Sequence, residues 1–160
     1  MAPPPVCQAL LLPFQVSLPG SPGAGTVYFD NEGTITATSD GTAIAVQFNG
    51  TGPLNFTNNG TLTADGGVDS IVIDTSYGAG DDSLYNYGTI TGNFNFGAGD
   101  DYFYNAAGAT WNATGYTDFG DGDDTLVNNG DIYMTDATIA FGGYTTYGNL
   151  FQNNGNIFAD

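Results

Sequence analysis

Six of the chain's carboxylates come as adjacent pairs, Asp81 and Asp82, Asp100 and Asp101, Asp123 and Asp124, spaced 19 and then 23 residues apart. Each pair follows a Gly-x-Gly turn (Gly78-Ala79-Gly80, Gly97-Ala98-Gly99, Gly120-Asp121-Gly122) and leads into apolar-x-Asn: Leu84-Tyr85-Asn86, Phe103-Tyr104-Asn105, Leu126-Val127-Asn128. Two neighbouring carboxyls have two chemical uses. They can share acid and base work on a glycoside, or they can offer hard oxygen ligands to a cation such as Ca²⁺. An active site is normally a unique constellation. Three equivalent copies are the mark of a structural repeat, and the reading of the residues is a protein that is not an enzyme.

The rest of the charge inventory narrows the chemistry further. The 160 residues carry 17 acidic groups and no Lys, Arg or His, a formal charge of −17. Ordinary usage would supply roughly 20 basic residues in this length. Without cations the chain cannot neutralise phosphates, so neither nucleic acid nor an anionic membrane is an expected direct partner. Imidazole bases, Schiff-base lysines and guanidinium clamps are equally missing. With 41% hydrophobic and 14% aromatic residues the chain still has the material for a core. A polyanion of this kind suits a medium rich in screening cations, which favours an extracellular or cell-surface setting.

These chemical residues must be positioned by the element that repeats with them. The phrase apolar-x-Asn-x-Gly-x-apolar runs from Phe29 to Ile35, Phe56 to Leu62, Leu84 to Ile90, Leu126 to Ile132 and Phe151 to Ile157, with a copy one residue longer centred on Asn105. Repeats of 20 to 28 residues with no helical periodicity are rungs of a solenoid. One rung reads Leu84 in, Tyr85 out, a corner at Asn86-Tyr87-Gly88, Ile90 in, a corner near Gly92, then Phe94 and Phe96 in with Asn93 and Asn95 out. The expected fold is all-β, a single-stranded parallel β-helix of about six rungs over residues 26–160. Variable rung length favours a right-handed coil.

Stacked about 4.8 Å apart, such rungs put like residues above like. One interior column becomes Phe29, Phe56, Leu84, Phe103, Leu126 and Phe151, and another becomes Ile35, Leu62, Ile90, Trp111, Ile132 and Ile157. The corner asparagines Asn31, Asn58, Asn86, Asn105, Asn128 and Asn153 form a ladder whose amides bond along the axis, a structural role with no ligand. The aspartate pairs stack too. Unit charges about 5 Å apart repel by roughly 1 kcal/mol in water and about 3 to 4 at an effective dielectric of 20. Either their pKa values rise, or cations sit between rungs. The stretch Gly142-Gly143-Tyr144-Thr145-Thr146-Tyr147 has no aspartate, so the acidic ladder is expected to stop there.

The Gly-x-Gly-Asp-Asp-x-Leu stretch from Gly78 to Leu84 and its two copies resemble the core of RTX, or haemolysin-type, calcium-binding repeats. That resemblance implies Ca²⁺ at Asp82, Asp101 and Asp124, with Asp81, Asp100 and Asp123 beside them. The first glycine of that pattern is replaced here by Tyr77, Phe96 and Phe119, and the copies come once per rung instead of every nine residues. The longer phrase, a Gly-x-Gly-Asp-Asp turn feeding Leu-x-Asn-x-Gly-Thr-Ile, is similar to the β-helical passenger regions of bacterial autotransporters and related adhesins. It implies a bacterial surface protein.

Residues 1–25 differ in composition, with Pro3, Pro4, Pro5, Pro19 and Pro22 around the apolar run Val6 to Phe14, which is too short to span a bilayer. They read as an extended arm or as an atypical export remnant; the single cysteine, Cys7, lies within them. Phe14, Val16 and Leu18 alternate with polar residues as a half-buried strand does, and a lone strand needs an edge. At the other end, the rung containing Ile157 and Phe158 reads as unfinished and uncapped. The expectation is self-association: head-to-tail stacking into a filament or sheath, with the arm adding as a strand. The competing expectation is a passenger fragment of an adhesin, stiffened by Ca²⁺, whose outward Tyr, Thr and Asn rows hold a glycan or surface.

Overall fold

A computed structural model of the chain describes residues 15–16, 25–142 and 148–160. Among them there is no helix, and so none long and apolar enough to cross a membrane. Strand β1 (Gln15–Val16) precedes the coil. The first rung is β2 (Val27–Asn31), β3 (Thr34–Thr38) and β4 (Ile44–Phe48); the second is β5 (Leu54–Asn58), β6 (Thr61–Asp65) and β7 (Ile71–Asp74). The third is β8 (Ser83–Asn86), β9 (Thr89–Thr91) and β10 (Asn93–Asn95). The fourth is β11 (Tyr102–Asn105), β12 (Thr110–Ala113) and β13 (Tyr116–Asp118). The fifth is β14 (Thr125–Asn128), β15 (Asp131–Met134) and β16 (Thr138–Ala140), and the sixth holds only β17 (Leu150–Asn153) and β18 (Asn156–Ala159).

Every third strand pairs in parallel, which makes a three-sided β-solenoid of five complete turns and a two-strand sixth. Sheet 1 contains β2, β5, β8, β11, β14 and β17; sheet 2 contains β3, β6, β9, β12, β15 and β18; sheet 3 contains β1, β4, β7, β10, β13 and β16. The interior columns expected from the sequence are in register throughout sheets 1 and 2. Phe56, Leu84, Phe103, Leu126, Leu62, Ile90, Trp111 and Ile132 are fully buried, each contributing about 1.5 to 3 kcal/mol by leaving water. Sheet 3 adds Val46, Ile73, Phe94 and, past the strand ends, Phe96 and Phe119.

Two local features depart from simple alternation. Asn93, read from the sequence as outward, is fully buried, because the pairing of β10 with β7 shifts between Asn93 and Phe94. The bulge turns its amide inward, where Nδ2 donates to the carbonyls of Val68 and Ser70 and Oδ1 accepts from the Thr114 N–H. The second feature is the short strand β1. The backbone of Gln15 and Val16 lies parallel to β4, with Gln15 opposite Gln47 and Val16 opposite Phe48. Phe14, Leu18 and the Val16 side chain lie outside the described residues.

Candidate functional site

The Gly-x-Gly-Asp-Asp segments form the corner between sheet 3 and sheet 1. Their glycines stack on one another. Gly99 and Gly120 have φ of 130° and 81°, and a Cβ on Gly120 would collide with the Gly97 carbonyl of the rung beneath. That close approach brings the aspartates of successive rungs into two columns. Parity decides which column is which. Asp82, Asp101 and Asp124 stand two residues before inward Leu84, Phe103 and Leu126, and they are 3%, 1% and 0% exposed. Asp81, Asp100 and Asp123 point outward into solvent.

At this corner the inner backbone carbonyls continue the parallel ladder. Asp82, Asp101 and Asp124 accept from the N–H of Tyr102, Thr125 and Leu150 at 2.8 Å each. The N–H groups do not; carboxylates take them. Asp82 Oδ1 accepts from Leu54 N–H at 2.7 Å, Asp101 Oδ1 from Asp82 N–H at 2.7 Å, and Asp124 Oδ1 from Asp101 N–H at 3.0 Å. The outer column runs the opposite way along the axis. Asp81 Oδ1 accepts from Asp100 N–H, Asp100 Oδ1 from Asp123 N–H, and Asp123 Oδ1 from Gly148 N–H, at 2.9, 2.9 and 2.7 Å. The inner aspartates therefore supply the acceptors that buried corner amides need, while the outer ones serve exposed amides.

Neutralisation accompanies this burial. The loss of water pushes Asp101 up to about 8, with the Asp82 and Asp124 carboxylates adding to the rise and the Asp82 N–H opposing it. Burial likewise lifts Asp82 to about 6, against the Thr75 hydroxyl and the Leu54 N–H, and Asp124 to about 6, against the Asp101 N–H. The direction of the shift favours the protonated, neutral form of Asp101. Its Oδ2 and that of Asp124 are enclosed and meet no partner. An unpartnered carboxylate oxygen sealed from water is costly, and protonation lowers that cost.

The acidic ladder stops at Asp123 and Asp124 as expected, but the column of acceptor oxygens runs one rung further. Asn149 continues the inner column, its Oδ1 accepting from Asp124 N–H at 2.8 Å. The signal was present, since Asn149 stands two residues before Phe151 as Asp124 stands two before Leu126. At this position an amide supplies the acceptor oxygen without a charge.

The same geometry bears on Ca²⁺, which takes 6 to 8 oxygens. Each inner aspartate has one oxygen on an N–H, and the free oxygens of Asp101 and Asp124 are sealed from solvent. The outer aspartates keep one oxygen each toward solvent. Among the described residues no three acidic groups gather as a metal-binding set. As arranged, these donors fall short of a closed cage.

At the next corner the asparagine ladder stands as expected. Nδ2 of Asn31, Asn58, Asn86, Asn105 and Asn128 donates to Oδ1 of Asn58, Asn86, Asn105, Asn128 and Asn153 in turn, every bond 2.8 Å long. The second amide hydrogen reaches a strand carbonyl, as from Asn105 to Asp131 at 3.2 Å. Asn105→Ala strips partners from Asn86 and Asn128 inside the coil and is expected to cost about 3 kcal/mol. Guanidinium unfolding followed by circular dichroism checks this; a loss under about 1 kcal/mol would remove the ladder from the stabilising framework.

Outside sheet 1 lie Tyr85, Tyr87, Tyr102 and Tyr104, with ring centroids 5.6 to 6.5 Å apart in tilted pairs. An open groove outside sheet 2 is lined by Thr63, Thr91, Thr114, Asp65 and Val68. Comparison with family models, with curated proteins and with solved structures finds no match to this chain.

Proposed function

We propose that the chain is a non-enzymatic structural subunit that stacks head to tail into a filament or sheath outside a bacterial cell. The observation that supports this reading is the apolar face that β17 and β18 leave uncovered among the described residues. Leu126 and Ile132 are 0% exposed, whereas Phe151 and Ile157, one rung on in the same columns, are 45% and 37% exposed. Leu150 and Phe158 beside them are 48% and 47% exposed. Both strands there have a free edge among the described residues. Exposed apolar columns bounded by open strand edges favour association with more of the same coil. The surface setting is supported by the solvating polyanionic composition and by the resemblance to autotransporter passengers. Negative-stain microscopy of the purified chain should show unbranched fibres; a monodisperse monomer at all concentrations overturns the reading.

The tyrosine cluster favours a second reading, an adhesin passenger whose outward aromatic faces hold a glycan, with Ca²⁺ on the free oxygens of Asp81, Asp100 and Asp123 as stiffener. A ligand of the folded state raises its melting midpoint. Under this reading millimolar Ca²⁺ raises the midpoint more than an equal ionic strength of NaCl, and a chelator reverses the rise. Equal midpoints in the two salts remove calcium from the account.

A further inference from the structure

The outer surface of the coil is interrupted between sheets 2 and 3. There residues 66–70 join β6 to β7, and Thr114 and Gly115 join β12 to β13, but on the rung between them Gly92 alone joins β9 to β10. The short link draws that rung inward. Asn93 pairs with Ile71 on one side, and because Asn95 pairs with Asp118, Asn93 stands level with Tyr116 on the other. Ile71 and Tyr116 face outward, whereas Asn93 is turned into the coil by the bulge. One outward side chain is thus withdrawn from the row, and its neighbours stand two rung spacings apart, about 9.6 Å.

The withdrawn amide also fixes the walls. Asn93 Nδ2 holds the 66–70 loop through the carbonyls of Val68 and Ser70, and its Oδ1 holds the next turn through the Thr114 N–H. Gly115 admits the Val68 carbonyl where a Cβ would collide with it. The space left outside measures about 140 Å³ and is lined by Asp69, Ile71, Asn95, Tyr116 and Asp118. A cavity of roughly 150 Å³ takes one six-membered ring.

Its lining sets the chemistry of an occupant. Ile71 supplies an apolar floor, and Tyr116, 55% exposed, an open ring face. The Asp69 carboxylate, the Asn95 amide and the Tyr116 hydroxyl are engaged by no other group of the described residues. Asp118 Oδ1 accepts from the Gly120 N–H at 3.0 Å, which leaves Oδ2 open. Two carboxylates beside an aromatic face favour a cation with N–H donors, and the chain has no Lys, Arg or His to provide one. Asn95 both donates and accepts, as a hydroxyl group requires of its partner.

We infer that the depression binds a protonated amino sugar, its ring on Tyr116 and Ile71, its ammonium between Asp69 and Asp118, and a hydroxyl on Asn95. A lysine side chain offers the ammonium without a hydroxyl and loses more rotamer freedom on docking. Sugar acids are rejected by like charge. The site lies on sheet 3 and needs neither head-to-tail stacking nor the tyrosines of sheet 1, so its failure leaves both readings of the function standing.

Ligand-observed NMR on the full chain tests this with glucosamine, glucose, glucuronate and cyclohexylamine. The titrations are run at about pH 6, where the amines are protonated, and in about 0.15 M NaCl, which screens the diffuse pull of a polyanion. Glucosamine should bind about tenfold more tightly than glucose, and glucuronate should show no saturation transfer. Asp69→Asn combined with Asp118→Asn keeps the acceptor for the Gly120 N–H and should lower glucosamine to the level of glucose. Tyr116→Ala should weaken both sugars by about fivefold. Each variant should keep the circular dichroism and melting midpoint of the parent.

The double variant removes only two of 17 acidic groups, so a general attraction for cations would barely change in it. A preference for glucosamine that survives in that variant overturns the site, as does equal binding of glucosamine and glucose by the parent. Cyclohexylamine that binds as tightly as glucosamine overturns the sugar assignment, because the ammonium alone would then be recognised. Tyr85→Ala, on sheet 1, should leave glucosamine binding unchanged; if it abolishes binding while Tyr116→Ala does not, the sugar sits on the other face and the proposal fails.

Discussion

Trp111→Ala is expected to cost about 4 kcal/mol, the largest single loss in the molecule. The indole is fully buried in the column between Ile90 and Ile132. Phe94 stacks on it at 4.6 Å and Phe103 meets it edge-on at 5.2 Å. Its Nε1–H donates to the Gly92 carbonyl at 2.9 Å, so truncation opens a cavity and also strands an acceptor at the corner. A rung touches only the rungs on either side, so the weak point sits mid-rod and uncouples the two halves. Guanidinium unfolding should lose both midpoint and steepness, while Trp111→Phe, which keeps most of the volume, should lose about half as much. A loss under about 1 kcal/mol would place the indole outside the packed interior.

The second large effect is on pH. Stability should fall as pH rises from about 4 to about 8. The sign follows from the direction of the shifts. Asp82, Asp101 and Asp124 titrate in the folded protein near 6, 8 and 6, above the ordinary 3.8. Between those values the folded state holds protons that the unfolded chain has already released, so each rise in pH favours unfolding. Their contribution is fully present below 3.8 and gone once pH has passed the folded value. The limb from 6 to 8 belongs to the buried column, whose folded values lie at about 6 and about 8. The melting midpoint should drop by several degrees across that limb.

Asp101→Asn should flatten that limb while keeping the fold, because an amide oxygen can accept from Asp82 N–H as Asn149 accepts from Asp124 N–H. Asp101→Ala leaves that N–H bare and should destabilise at every pH. A midpoint that climbs with pH between 6 and 8, or an asparagine variant as damaged as the alanine one, would contradict the buried-acid account.

The apolar and asparagine columns were legible because each is tied to a period-two strand that starts at a fixed distance from a glycine corner. Phe103 over Leu84 and Asn105 over Asn86 follow from counting alone. Sheet 3 was less legible. It has no repeated phrase, its strands are short, and the bulge at Asn93 reverses parity where a composition-based reading sees only Asn-Phe-Asn-Phe. At the acidic corner, the sequence marked the right residues and left open how their charge is handled. Burial of one aspartate in each pair was implicit in its distance from Leu84, Phe103 or Leu126. That its oxygen would serve a backbone N–H of the preceding rung depends on the glycine stack, whose three-dimensional closeness has no signature in residue type. Asn149 was overlooked because a search for acids passes over an amide doing the same work.

One mechanical consequence follows from the direction of the bonds. Strand ladders, the asparagine amides and the carboxylate caps all lie along the rod, so a tensile load on the axis is shared by every bond of a rung at once. A pull on one loose strand instead breaks bonds in sequence, each carrying the whole force. A coil of such rungs would resist tension along its axis and yield to peeling at a frayed tip.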